Sequence, residues 1–157
     1  MHGSFDKIVK NICKLEDVNP ELRQKLSAYC YDIIGYCQEV HRDMGPFLNE
    51  YMYQDALAIC FEERGIVGDD CKKEYHFKTV FHGKEIHHPH KVDFYIRNSV
   101  YVECKAVQSL VSEHRQQLWN YMRLTDVHIG ILYNFAPVKD QCERYYYDSD
   151  SQIMYLF

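Results

Sequence analysis

Residues 127–135 (VHIGILYNF) restrict the fold more than any other stretch of this chain. An almost unbroken apolar run of strand length marks a strand covered on both faces, and Ala136-Pro137 closes it. Before it, Ser112-Glu113 opens a helix reaching to about Leu124, and residues 100–107 form a strand. Strand, helix, strand over 100–135 is the pattern of a right-handed parallel crossover. Upstream the period changes to two, with Tyr75, Phe77, Thr79 and Phe81 alternating against His76, Lys78, Val80 and His82. Gly83-Lys84 turns the chain into a second strand. It is interrupted at His87-His88-Pro89-His90, where Pro demands an edge or a bulge, and resumes over 92–96. Residues 142–147 add a last, edge strand. The expected class is α/β, a mixed central sheet flanked by helices on both faces.

Two helices precede the sheet. Asn19-Pro20-Glu21 is a start signal, with an Asn cap, Pro in the first turn and an acid at the positive dipole end. Leu22, Leu26, Tyr29, Ile33, Cys37, Val40 and Met44 then recur at helical spacing until Gly45-Pro46. A second helix is expected over 47–64, stopped by Gly65, with Glu50, Tyr53, Leu57 and Phe61 on one stripe. Glu50 either faces a core or cleft rim, or is an exposed acid favouring the helix N-terminus. Residues 67–73 are expected to be a polar loop, and residues 1–18 a short peripheral helix. At 157 residues, without repeats or linker, the chain is expected to be one domain over 1–157.

The formal charge of −5 argues against a protein that coats nucleic acid through a basic surface, but it leaves room for an enzyme with one positive channel. Seven Cys, scattered and without a CxxC pair, suit reduced thiols, and no run approaches a membrane span or a signal h-region. A soluble, cytoplasmic protein with no membrane partner is the expectation.

The chemistry concentrates in residues 93–105 (DFYIRNSVYVECK). Two strands apolar enough to be buried carry Asp93, Glu103 and Lys105, and buried charges persist where they are paired or hold a metal. Tyr101, Glu103 and Lys105 project to one face of their strand, and Asp93, Tyr95 and Arg97 to one face of theirs. A two-residue turn at Asn98-Ser99 would leave the acids on opposite faces. A three-residue loop, Arg97-Asn98-Ser99, pairs Ile96 with Val100 and sets Asp93 opposite Glu103. We expect the odd-length loop. Two such carboxylates repel unless a cation intervenes, and Mg²⁺ or Mn²⁺ suits hard oxygen ligands. Lys105 would orient or deprotonate an attacking water and stabilise phosphate charge. The bland alternative is a structural Lys–carboxylate pair.

Asp93 followed by Glu103-Cys104-Lys105 resembles the D…(D/E)xK signature of the PD-(D/E)XK nuclease superfamily. Within it the chain is similar to the small bacterial GxxExxY proteins, through IGYCQEVHRDMGP (34–46), LNEYMYQDAL (48–57), VECKAV (102–107) and QLWNYMRLT (117–125). The resemblance runs collinearly over about 34–135 and implies a restriction-endonuclease-like core. It implies a metal-dependent nuclease acting on DNA or, second, RNA. It implies Asp93, Glu103 and the Cys104 backbone carbonyl as metal ligands, Lys105 as catalytic lysine and Glu50 as the acid that completes the site. Gln117 and Tyr121 match a QxxxY pattern of the superfamily, and His114, Gln117, Tyr121 and Leu124 share a helical face, so Gln117 joins Lys105 and Glu50 as a candidate catalytic residue and Tyr121 and His114 become candidate substrate contacts. Helix packing plus one hydrogen bond is the alternative for Gln117 and Tyr121. The chain departs from the pattern at Phe47, where the naming motif has Gly, and at Val92, where the signature has Pro.

His82, His87, His88 and His90 invite a zinc reading, but they lack the spacing and the further ligands of a zinc site. A non-catalytic binding or regulatory module on the same fold is the rival of the nuclease, favoured by the acidic charge and the lack of a basic stripe. A domain this small commonly needs a partner or a second copy to grip DNA, so a homodimer is compatible with the sequence.

Overall fold

Asn19 caps the long helix as its sequence demands, its side chain accepting the Leu22 N–H at 3.1 Å. The computed structural model describes residues 12–157. They form α1 (Leu15–Val18), α2 (Pro20–Met44), α3 (Glu50–Glu63), a 3₁₀ turn (Gly68–Asp70), β1 (Cys71–Phe81), β2 (Lys84–Ile96) and β3 (Val100–Lys105). Then follow α4 (Ser112–Thr125), β4 (Ile129–Asn134), β5 (Gln141–Asp148) and β6 (Ile153–Leu156). Of the helix expected over 1–18, the described residues carry only the four-residue α1; residues 12–14 are not helical, Lys14 bridging Leu156, and residues 1–11 lie outside the described residues.

The six strands stand in the sheet in chain order, β1 to β6. Neighbours are antiparallel except β3 and β4, which run parallel across the α4 crossover, so the sheet is mixed as expected. One face is covered by α2 and α3, which bring Ile33, Cys37, Tyr53, Leu57 and Phe61 onto Phe94, Val102, Cys104 and Ile131. The other lies under α4, where Leu118, Tyr121 and Met122 meet Tyr101, Leu132 and Tyr145. Each large side chain buried this way contributes about 1.5–3 kcal/mol. Gly130 lets α4 come so close: a β-carbon there would run into Met122 and Leu118.

Several boundaries differ from expectation. The second helix starts at Glu50, not at 47, because Asn49 caps it by accepting the Met52 N–H at 3.0 Å and Phe47 sits at φ 67, outside helical space. In α2 it is Cys30, not Tyr29, that is buried; Tyr29 and Met44 are exposed. Residues 71–73, read as loop, pair with Ile96, Tyr95 and Phe94 and belong to β1. The Pro89 irregularity is a bulge within one continuous strand: Phe77 pairs with His90 and Thr79 with Ile86, so residues 87–89 face Lys78 alone. β5 is not the edge, since β6 pairs beyond it and is bridged by Lys14. The strand over 142–147 was legible; the four-residue strand after it has too little pattern to be seen.

The β2–β3 hairpin decides the site. Ile96 pairs with Val100, Tyr95 with Tyr101 and Phe94 with Val102, which makes a three-residue loop. Arg97 (φ 53) and Asn98 (φ 50) are both left-handed, and the Ser99 N–H closes the turn on the Ile96 carbonyl at 3.0 Å. The Arg97 guanidinium is held by Asp32 of α2 at 2.6 Å, which ties the strained residue to the helix layer. The odd-length loop is therefore present, and its parity sets Asp93 and Glu103 on one face.

Candidate active site

Asp93 and Glu103 are braced by each other's strands. The Asp93 N–H donates to Glu103 Oε1 at 3.0 Å, and the Cys104 N–H donates to Asp93 Oδ2 at 2.8 Å. Both carboxyls are buried, Asp93 9% and Glu103 4% exposed. In each, one oxygen is committed to a backbone N–H, and the other has no protein hydrogen bond among the described residues. The β2–β3 ladder ends at the pair Phe94 and Val102, just short of these residues. In an extended strand a residue's N–H and C=O point to the same edge, so the Cys104 carbonyl follows its N–H toward β2 and Asp93. The Cys104 thiol lies fully buried in the other layer, with its pKa pushed well up by burial, and cannot serve as a ligand from there.

Glu50 enters from the first turn of α3. It is half-buried, and Gln54, one helical turn on and 3% exposed, donates to its Oε2 at 3.2 Å. Gln54 has no role in the sequence reading, although its i,i+4 position from Glu50 on the buried stripe is the signal that identifies it. From the other helix, Gln117 accepts from Lys105 Nζ through Oε1 at 3.3 Å and donates from Nε2 to the Tyr121 hydroxyl at 3.0 Å. Tyr121 is buried against Phe77, 5.0 Å away edge-on, and against His90 at 5.7 Å. Gln117 thus links Lys105 to a packed aromatic. His114 sits at the start of α4, where its Nδ1 accepts the Val111 N–H at 3.1 Å. The His114 ring therefore has one nitrogen committed to the helix start.

The electrostatics join these groups. Burial raises the pKa of Glu103 to about 8, helped by the Asp93 charge and opposed by the Asp93 N–H and Lys105. Burial raises Asp93 as well, against the Cys104 N–H, Lys105 and Lys91. Burial and then Asp93 raise Glu50, while Lys105 and Lys91 lower it. His114 is lowered by burial and then by Lys105. The fold therefore gathers Asp93, Glu103, Glu50, Lys105, Gln117 and Tyr121 around one place, with His114 at its border.

A hard dication fits this donor set: two adjoining carboxylates, each with an oxygen to spare, remove each other's repulsion by sharing one. Among the described residues no three His, Cys, Asp or Glu side chains form a ready cage, so such an ion would take the two carboxylates together with backbone and solvent oxygens. That pattern suits Mg²⁺, which keeps several waters. Of the four histidines over 82–90, His90 packs against Phe77, their ring centroids 5.5 Å apart.

A family model described as the PD-(D/E)XK nuclease superfamily matches residues 27–145. No curated protein matches. Among solved structures, the crystal structure of SSO0001 is similar, with a TM-score of 0.43 and 22% identity over 60% of this chain and 50% of that one. The chain thus spans about half the length of that structure.

Proposed function

The chain belongs to the PD-(D/E)XK nuclease superfamily, and from that premise we propose that it is a metal-dependent nuclease hydrolysing phosphodiester bonds of DNA, with RNA second. Proteins of this superfamily act on nucleic acid and generally use divalent metal ions. The observation that carries the reading is the mutual bracing of Asp93 and Glu103, two buried carboxylates held side by side with an oxygen of each left over. We assign Asp93, Glu103 and the Cys104 carbonyl to an Mg²⁺ or Mn²⁺ ion. When bound, it would supply Lewis acidity to the phosphate and a more acidic water.

The remaining roles are the chain's own. Lys105, oriented by Gln117, would sit against the attacking water or the phosphate and stabilise developing negative charge. Gln117 and Tyr121 hold that ammonium in place, so Gln117 acts through Lys105. Glu50, steadied by Gln54, adds a third acid at the border of the pair. We further assign the chain to the GxxExxY branch, on the motif that keeps Glu50 and Tyr53. The described residues read as one domain, and homodimerisation would extend its grip on DNA. No helix among them is long and apolar enough to cross a membrane, and the cysteines are all free, which supports a cytoplasmic setting.

The test is cleavage of a panel of single- and double-stranded DNA and RNA with and without Mg²⁺, with Lys105→Ala as control. Mg²⁺-dependent turnover lost in that variant is expected. No turnover together with no metal binding in calorimetry would favour the rival, a nuclease-fold module that binds without cutting.

A further inference from the structure

Phe47 is out of place on every count that concerns stability. It holds a left-handed backbone, φ 67, which disfavours any residue with a β-carbon, and it leaves its ring 77% exposed. The fold nevertheless fixes it firmly. Its N–H donates to the Ala136 carbonyl at 3.0 Å. The buried Tyr53 hydroxyl clamps both flanks, donating to the Gly45 carbonyl at 2.7 Å and accepting the Leu48 N–H at 3.1 Å. On the facing loop, His41 Nε2 lies 2.8 Å from the Pro137 carbonyl.

These tethers shape a hollow of about 490 Å³ walled by Phe47, Leu48, Ala106, Val107, Pro137 and Val138. Its place in the fold says what it adjoins. Ala106 follows Lys105 directly, and Leu48 stands two residues before Glu50. Along the chain, the wall of the hollow thus stands one residue from Lys105 and two from Glu50. Gln108 offers an amide at its wall, and Lys139, next to Val138, is exposed.

We propose that this hollow seats an unpaired nucleobase of the substrate strand beside the scissile phosphate, with Phe47 as its stacking platform. The inference rests on the nuclease reading. A base matches the hollow chemically, having flat apolar faces for Phe47 and a polar edge for Gln108, on a backbone whose phosphates suit Lys105 and Lys139. A base still stacked in a duplex cannot enter a side hollow, so the preferred substrate carries a single-stranded segment at the cut. A strained and exposed aromatic ring then has a use that folding alone does not give it.

The test uses a short single-stranded oligodeoxynucleotide containing a fluorescent adenine analogue, with the full chain in EDTA so that turnover is stopped. The wild type is expected to quench the analogue. Phe47→Gly should abolish the quench and weaken binding about tenfold, while its denaturation midpoint holds or rises because glycine accepts the backbone. Phe47→Trp should keep the quench. Unchanged quench and affinity in Phe47→Gly would overturn the subsite, as would a wild-type dimer in sedimentation that this variant dissociates. Quenching by a wild type that cleaves none of the panel supports the subsite and counts against catalysis alone.

Discussion

The most revealing perturbation is pH in the absence of metal. Asp93 and Glu103 are buried beside each other, and burial together with their mutual repulsion makes Glu103 hold its proton up to about 8 instead of the ordinary 4.5. Asp93 moves the same way from 3.8. Both are acids with a raised folded pKa. The folded chain then binds more protons than the unfolded one between those limits, and stability falls as pH rises through the window. For Glu103 alone, the span from 4.5 to about 8, at roughly 1.4 kcal/mol per pH unit, caps the loss at about 5 kcal/mol. Rearrangement of the pair and access of water reduce this, so a fall of about 2–4 kcal/mol is expected, or roughly 5–15 °C in Tm. The assay is thermal and urea unfolding in EDTA at about pH 5 and about pH 8.5, repeated with Mg²⁺. The metal should restore stability at the high pH and do little at the low one, where it competes with protons. Glu103→Gln, which stays neutral, should flatten the difference. An equal pH slope in wild type and Glu103→Gln, or equal stabilisation by Mg²⁺ at both pH values, refutes the reasoning.

Lys105→Ala should lower cleavage about a hundredfold or more while calorimetric Mg²⁺ binding persists; loss of both would recast Lys105 as a structural partner of the acids. Gln117→Ala should lower kcat about tenfold with KM little changed, and the pH–rate profile should shift, because it frees Lys105 without removing it. Tyr53→Phe leaves the Leu48 N–H and the Gly45 carbonyl without their shared hydroxyl and should cost about 1–3 kcal/mol in urea unfolding. Gly130→Ala pushes a methyl into Met122 and Leu118 and should cost about 1–3 kcal/mol; no change there would mean that α4 can back away from β4 freely.

The sheet was legible because two of its strands, central β4 and edge β1, carry unmistakable patterns, the doubly covered run ending at Phe135 and the alternation around Phe77. The acids were legible because charge inside a buried hairpin is rare, and the loop parity that joins them could be reasoned from spacing. Other features depend on contacts far apart in sequence. Nothing near Arg97 announces that Asp32 will hold it in a left-handed turn, 65 positions away. The periodicity of α2 tolerates either Tyr29 or Cys30 inside, and the neighbouring layer chooses the smaller. At Phe47 local rules predict helix, and a tether to Ala136 overrides them.

Because the strands lie in the sheet in the order of synthesis, the two braced carboxylates come together when one short hairpin closes, a loop too small to cost much entropy. The ammonium's support comes later, from a helix beyond that hairpin that must dock across the parallel crossover. The pairing of Asp93 with Glu103 thus needs contacts of one hairpin only, whereas the contact of Lys105 with Gln117 needs a helix from farther along the chain.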